Sequence, residues 1–131
     1  MDYRQAVRYG VYAAEQVLDI FEKENPSDNR VRLAIDAARM CIDNPSEENK
    51  KRAREAEDAI LDVPGTAALA AYYAGRAAYY ADWAVAYAAG AAKYAVWAAG
   101  YAGREMQLKI LNYGIQLLKE ENVRKKNSGI F

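Results

Sequence analysis

The sequence predicts an all-α fold, a single-domain compact bundle of five to seven helices with closely packed Ala-rich central helices. Three observations carry this. Apolar residues recur at helical spacing over most of the chain, no stretch alternates apolar and polar residues as a strand would, and residues 64–103 are almost wholly Ala, Gly and aromatic rings. Helix content should exceed roughly 65%, far above the globular average. A chain of 131 residues suits one domain, with residues 1–122 forming it and 123–131 a mobile basic tail.

The first helix is expected from Asp2 to about Lys23, with Tyr3, Val7, Val11, Ala14, Leu18 and Phe21 as its apolar stripe. Pro26 ends it within Asn25-Pro26-Ser27-Asp28, because proline cannot continue a helix and Ser27 or Asp28 can cap the next. A second helix follows from about Asn29 to Ile42, with Val31, Ile35, Ala38 and Ile42 inward. Ser46 with Glu47 and Glu48 opens a third, running to about Leu61. Its inner face is only Ala53, Ala56, Ile60 and similar small positions, so it reads as a solvated outer helix. Val63-Pro64-Gly65-Thr66 breaks the chain again, with Thr66 as the expected cap.

The next stretch is too long for one ordinary helix in a domain of this size. Asp82 can act as an N-cap, so a break near Tyr80–Asp82 is the first choice and Gly90 the second. Running through both places are Tyr72, Arg76, Tyr79, Trp83, Tyr87, Gly90, Tyr94, Trp97, Tyr101 and Arg104, at steps of four and three. That 3.5-residue period puts the large side chains on one seam, as in a left-handed helix pair. The last helix runs to about Asn122, with Met106, Ile110, Tyr113 and Leu117 in register.

Composition excludes several function classes. Lys plus Arg and Asp plus Glu are equal at 18 each, so nothing calls for a nucleic-acid polymer. The charge is unevenly spread: residues 1–63 carry 10 basic and 14 acidic side chains, and residues 64–131 carry 8 and 4. One cysteine, Cys41, excludes an internal disulfide and fits a reducing cytoplasm. The chain has no histidine, which removes the usual general base and the commonest metal ligand. No signal peptide opens it, since Asp2, Arg4 and Arg8 interrupt any apolar run. Trp83 to Gly103 has the length of a membrane span, but a central Lys93 costs about 2.5–3.5 kcal/mol on insertion scales. It reads as a buried helix, with no membrane partner.

No cofactor, metal or catalytic residue is expected. Glu15, Asp19 and Glu22 share helical spacing, yet such a group is more often a solvated face than an oxygen site. Gly100-Tyr-Ala-Gly103 is a packing or helix-end feature and not a phosphate loop. The aromatic seam admits two readings. As core or interface, its rings fill the space between Ala-rich helices, and a homo-oligomer would cover them. As a pocket, Tyr72, Tyr79, Trp83 and Tyr87 stack on a base while Arg76 and Arg104 hold a phosphate. Five of the ten seam positions are Tyr, whose hydroxyl needs a partner, so the seam should reach water, a polar pocket or another chain.

The most distinctive segment is Tyr9 to Arg39. It holds Glu15, Val17-Leu18, Phe21-Glu22, Pro26, Asp28, Arg30, Arg32, Ala34-Ile35 and Ala37-Ala38. In this it resembles immunity family five, the immunity proteins of bacterial polymorphic-toxin systems. There a small-residue helix with Glu, Val-Leu and Phe-Glu leads to a Pro-Asp-Asp-Asp-Arg-Pro-Arg turn and a helix beginning Ala-Ile. Pro26-Ser27-Asp28-Asn29-Arg30-Val31-Arg32 stands in that turn. Ala13, Gln16 and Val31 replace a cysteine, a histidine and a proline of the family pattern. The resemblance implies a non-catalytic inhibitor that binds a toxin-like protein partner, with Glu15, Asp28, Arg30 and Arg32 as candidate contacts. From the residues alone, the same four could equally staple the first two helices together. Arg30 and Arg32 point about 200° apart on a helix and cannot clamp one anion. A different reading of function is a protein that sequesters a nucleotide-like small molecule, of the kind bacteriophages use against host defence.

Overall fold

The computed structural model describes residues 1–100 and 103–127. Helix accounts for 85% of them, and no strand occurs among the described residues, so the all-α expectation holds. Six α-helices follow one another: α1 (Tyr3–Glu24), α2 (Arg30–Asp43), α3 (Glu47–Asp58), α4 (Thr66–Tyr79), α5 (Ala84–Ala99) and α6 (Arg104–Asn127).

Local chemistry explains most of the helix ends. Asp2 and Gln5 form a reciprocal capping box at α1: Asp2 Oδ1 accepts from the Gln5 amide at 2.8 Å, and Gln5 Oε1 accepts from the Asp2 amide at 3.1 Å. Ser46 Oγ caps α3 by accepting from the Asn49 amide at 3.1 Å. Before α4 the capping position belongs to Gly65, at φ +105°, and Thr66 is already helical. The break after Tyr79 lies where Asp82 suggested it, but Asp82 is not the cap. It sits inside a 3-10 turn, Ala81–Trp83, and Trp83 takes the capping position of α5 with no side-chain bond. α6 takes in residues 123–127, beyond the expected end at Asn122; residues 128–131 lie outside the described ones.

α1 and α4 form the middle pair of the bundle. α2 and α5 each pack on both of them, from opposite sides; α3 lies on α2 and α4, and α6 on α1 and α5. The inner faces of α4 and α5 are alanine: Ala70, Ala71, Ala74, Ala77, Ala88, Ala91 and Ala95 are all buried. Such small side chains stabilise only if the backbones come close, because dispersion falls off steeply with distance. Gly10 of α1 shows how close they come. A Cβ there would lie 3.4 Å from Ala74 Cα and 3.6 Å from Ala88 Cα.

The bulkier filling comes from the first half of the chain, where Val7, Val17, Phe21, Val31 and Ile35 are buried. The aromatic seam does not fill the core. Trp83 is 64% exposed and Trp97 59%, while Tyr72, Tyr79, Tyr87 and Tyr94 are half-buried on the flank. The physical reason is that alanine already fills the inner faces of α4 and α5, which leaves the rings on the outer side of each helix. Gly90 is a platform, with the off-seam Tyr73 ring lying over it and stacking on Tyr94 at 5.3 Å. Tyr101 lies outside the described residues.

Candidate functional site

Four of the ten expected site residues meet at one place, around a residue the sequence reading missed. Along α3, Asn49, Ala53 and Glu57 recur every four residues and all face inward. Glu57 is 1% exposed. Gly75 of α4 makes room for it: a Cβ at Gly75 would stand 3.1 Å from Glu57 Cβ, so only glycine lets α4 lie this close without a shift. The inward register of an acid among Asn49, Ala53 and Ile60 was the available signal. It is hidden because α3 is otherwise charged on nearly every face.

The Glu57 carboxylate accepts from Tyr79 Oη at 2.8 Å and from Arg76 Nη1 at 3.4 Å. Arg76 also donates to the hydroxyls of Tyr72 at 3.0 Å and Tyr87 at 3.2 Å. Its guanidinium carbon stands 4.8 Å from the Tyr80 ring centroid, 4.9 Å from Tyr87 and 5.4 Å from Tyr72, within cation–π range of all three. Burial pushes the Glu57 carboxyl above its ordinary pKa, and the Tyr79 and Arg76 hydrogen bonds only partly hold it back. Burial also raises the Tyr79 phenol, helped by the carboxylate beside it. For Arg76, burial opposes the charge, but the Tyr87 hydroxyl and the oxygens of Tyr79 and Tyr72 outweigh it, and the pKa ends above the ordinary value.

This is a charge pair inside an aromatic cage, with the hydroxyls of Tyr72, Tyr79 and Tyr87 all engaged. Its chemical use is to fix rings at the corner where α3, α4 and α5 meet. At the rim lies an open notch of about 240 Å³ lined by Glu47, Lys50, Lys51, Arg54, Tyr79 and Tyr80. Trp83 projects from the same corner without entering the cluster. Arg104, exposed as the first residue of α6, is not brought to it.

The remaining four candidates, Glu15, Asp28, Arg30 and Arg32, do not join the cluster, and each is engaged in an ion pair of its own. Glu15 of α1 pairs with Arg39 of α2 at 3.0 Å, and Glu22 with Arg32, whose Nε donates at 2.9 Å. Asp28 accepts from the Arg30 guanidinium at 2.8 and 3.0 Å and from the Arg30 amide at 3.0 Å, while Arg30 reaches Asp62 at 3.4 Å. The Arg30 hydrogen bonds hold the Asp28 carboxyl down at about 2. Arg30 and Arg32 thus point to different partners, as their spacing requires. With Glu15 and Glu22 turned to arginines, Asp19 is left outside any oxygen site; no group of metal-ligating residues occurs among the described residues. Nor is any helix among them long and apolar enough to cross a membrane.

The fold and these clusters define a small all-α bundle in which Glu57–Arg76 and Glu15–Arg39 tie neighbouring helices together. Residues 1–125 match the family model described as "Imm-5 like putative immunity protein", and the chain belongs to that family. Comparison with curated proteins and with solved structures gives no match.

Proposed function

We propose that this chain is an immunity protein that neutralises a toxin by binding it stoichiometrically, without catalysis, in the bacterial cytoplasm. Family membership over residues 1–125 is the observation that carries this reading. The buried free thiol of Cys41 suits a reducing compartment. We place the toxin contact at the α3–α4–α5 corner. Trp83 is 64% exposed and Tyr80 38%, and the Glu57–Arg76 pair holds the tyrosines beneath them. Rigid, exposed Trp and Tyr are the side chains that most often dominate protein interfaces.

The alternative, capture of a nucleotide-like molecule at Arg76, is less favoured by the geometry. A phosphate there would have to compete with a buried carboxylate that the guanidinium already faces.

The test is growth of bacteria expressing polymorphic-toxin domains, with and without this chain, followed by isolation of the complex. Rescue with a one-to-one complex is expected, and Trp83→Ala should weaken it by about tenfold or more at unchanged melting temperature. Failure of rescue across the toxins, with tight calorimetric binding of a cyclic or linear nucleotide that Arg76→Lys weakens, would replace this reading with the alternative.

A further inference from the structure

α6 is apolar on two faces, and the bundle covers only one. Ile110, Gly114 and Leu117 face inward and are buried, with Tyr9 of α1 lying over Gly114. About a third of a turn away, Leu108, Leu111, Ile115 and Leu118 form a second stripe, each 48–51% exposed. Among the described residues, no element lies over it. Beside it runs a groove of about 320 Å³ whose walls include Leu111, Lys93 and the exposed Trp97 of α5.

The stripe has the form of a seam for an identical helix. Its steps are three, four and three, the 3.5-residue period of a left-handed helix pair. That series reads the same in both directions, so a two-fold axis between Leu111 and Ile115 sets Leu111 against the partner Ile115 and Leu108 against the partner Leu118. Exposed polar residues, Arg104 and Asn122, close the two ends and would face each other in the same antiparallel register. The flanking charges agree. Glu105 and Lys119, both exposed, occupy equivalent flanking positions two heptads apart, and the two-fold axis brings each Glu105 beside the other copy's Lys119. A parallel pair would leave those charges roughly 21 Å apart along the axis, at 1.5 Å per residue.

We infer that the outer face of α6 is the interface of a symmetric homodimer, formed by antiparallel pairing of two α6 helices through Leu108, Leu111, Ile115 and Leu118. A C2 contact of this kind needs one self-complementary patch and closes on itself. The pairing helix is α6, which the toxin contact at the Trp83 corner does not use, so the two can be tested separately.

Sedimentation of the full chain at micromolar concentration should give the mass of two copies. Ile115→Glu should give one copy, as should the milder Leu111→Gln, both with the helical circular dichroism of the parent. Glu105→Lys alone should weaken the dimer by roughly tenfold at low salt, and the reversed pair Glu105→Lys/Lys119→Glu should restore it. Asn112→Cys should cross-link across the axis under oxidation, because position 112 meets its own copy only in this register. A single-copy mass for the parent chain at every concentration overturns the inference. So does a dimer that survives Ile115→Glu, or one that Asn112→Cys fails to cross-link. A monomeric chain whose toxin neutralisation is lost in Ile115→Glu would overturn it too, and would give the face to the toxin.

Discussion

Residues 1–63 and 64–131 build three helices each, and the helix contacts of one half repeat in the other. α1 packs on α2 and α2 on α3, as α4 packs on α5 and α5 on α6; α3 then reaches across to α4, and α6 to α1. The chemistry holding the two halves is different. The first half is bulky inside, with Val17, Phe21 and Ile35, and tied outside by Glu15–Arg39 and Glu22–Arg32. In the second, α4 and α5 are alanine inside and stacked tyrosine outside, with Tyr73 on Tyr94 at 5.3 Å and near Tyr87 at 6.2 Å, and its bulky buried residues are Ile110 and Leu117 of α6. One contact plan is therefore met by two solutions, large side chains at ordinary helix separations or small ones at close approach. The outer helix of each half docks across through a glycine: Gly75 admits Glu57, and Gly114 admits the Tyr9 ring. The first of those docks holds the more deeply buried charge: Glu57 is 1% exposed, whereas the Met1 amino group and Glu121, paired across the second, are 9% and 13% exposed.

That difference predicts the largest effect. Arg76→Met removes the cation that faces Glu57 and should destabilise the bundle by about 3–5 kcal/mol at neutral pH, the range for a buried charge left unpaired. The sign of its pH dependence follows from the carboxyl. The folded-state pKa of Glu57 already lies above the ordinary value, and losing Arg76 raises it further. The folded state then holds more protons than the unfolded one, so the deficit should shrink as pH falls through that raised pKa. Denaturant melts at neutral and mildly acid pH check this. A deficit that stays constant with pH would show that Glu57 is not the group left exposed to the loss.

The second prediction tests close approach itself. Ala91 of α5 is fully buried, and Ala91→Leu should cost about 1–3 kcal/mol by overpacking. Ala98 is only half-buried, and Ala98→Leu should cost less. Ala56→Leu on the outer α3 should cost the least, and thermal melts of the three variants give the order. Equal costs at all three would mean that the alanine faces of α4 and α5 are no tighter than the solvated edge of α3.

The first half was the more legible from sequence, and the reason is contrast. On α1 and α2 the apolar stripes stand among charged residues, so periodicity marks the buried face directly, as at Val7, Val11 and Leu18. On α4 and α5 alanine is nearly everywhere, and the eye is drawn to the rings, which sit on the flank. The turn at Ala81–Trp83 was foreseeable from Asp82, but that alanine rather than the rings takes the inner faces was not. Of the candidate site, Tyr72, Arg76, Tyr79 and Tyr87 were found as ring and charge, and Glu57, which gathers them, was not. A carboxylate in an acidic run resembles its solvated neighbours until the helix opposite is placed. The outer stripe of α6 was hidden differently, since Met106, Ile110, Tyr113 and Leu117 already satisfy one helical period and the second interleaves with it.

The smallest effects belong to the ion pairs on the rim of the first half. Arg39 is 47% exposed, and its pairs with Glu15 and Asp36 are screened by water, so Arg39→Met should cost within about 1 kcal/mol. Acid gives a sharper reading than substitution. The Arg30 hydrogen bonds lower Asp28 from its ordinary 3.8 to about 2, so the unfolded state binds its proton first as pH falls. The contribution of Asp28 is complete above the ordinary value and is lost as pH falls from about 3.8 to about 2. Glu22, lowered by its hydrogen bond from Arg32, runs in the same direction, whereas Glu57 in the first dock runs in the opposite one. Melting temperature followed through that window should therefore fall less steeply in Asp28→Asn than in the parent chain. An acid limb unchanged by Asp28→Asn would show that the Asp28–Arg30 contact in the Pro26–Arg32 turn contributes no pH-dependent stability.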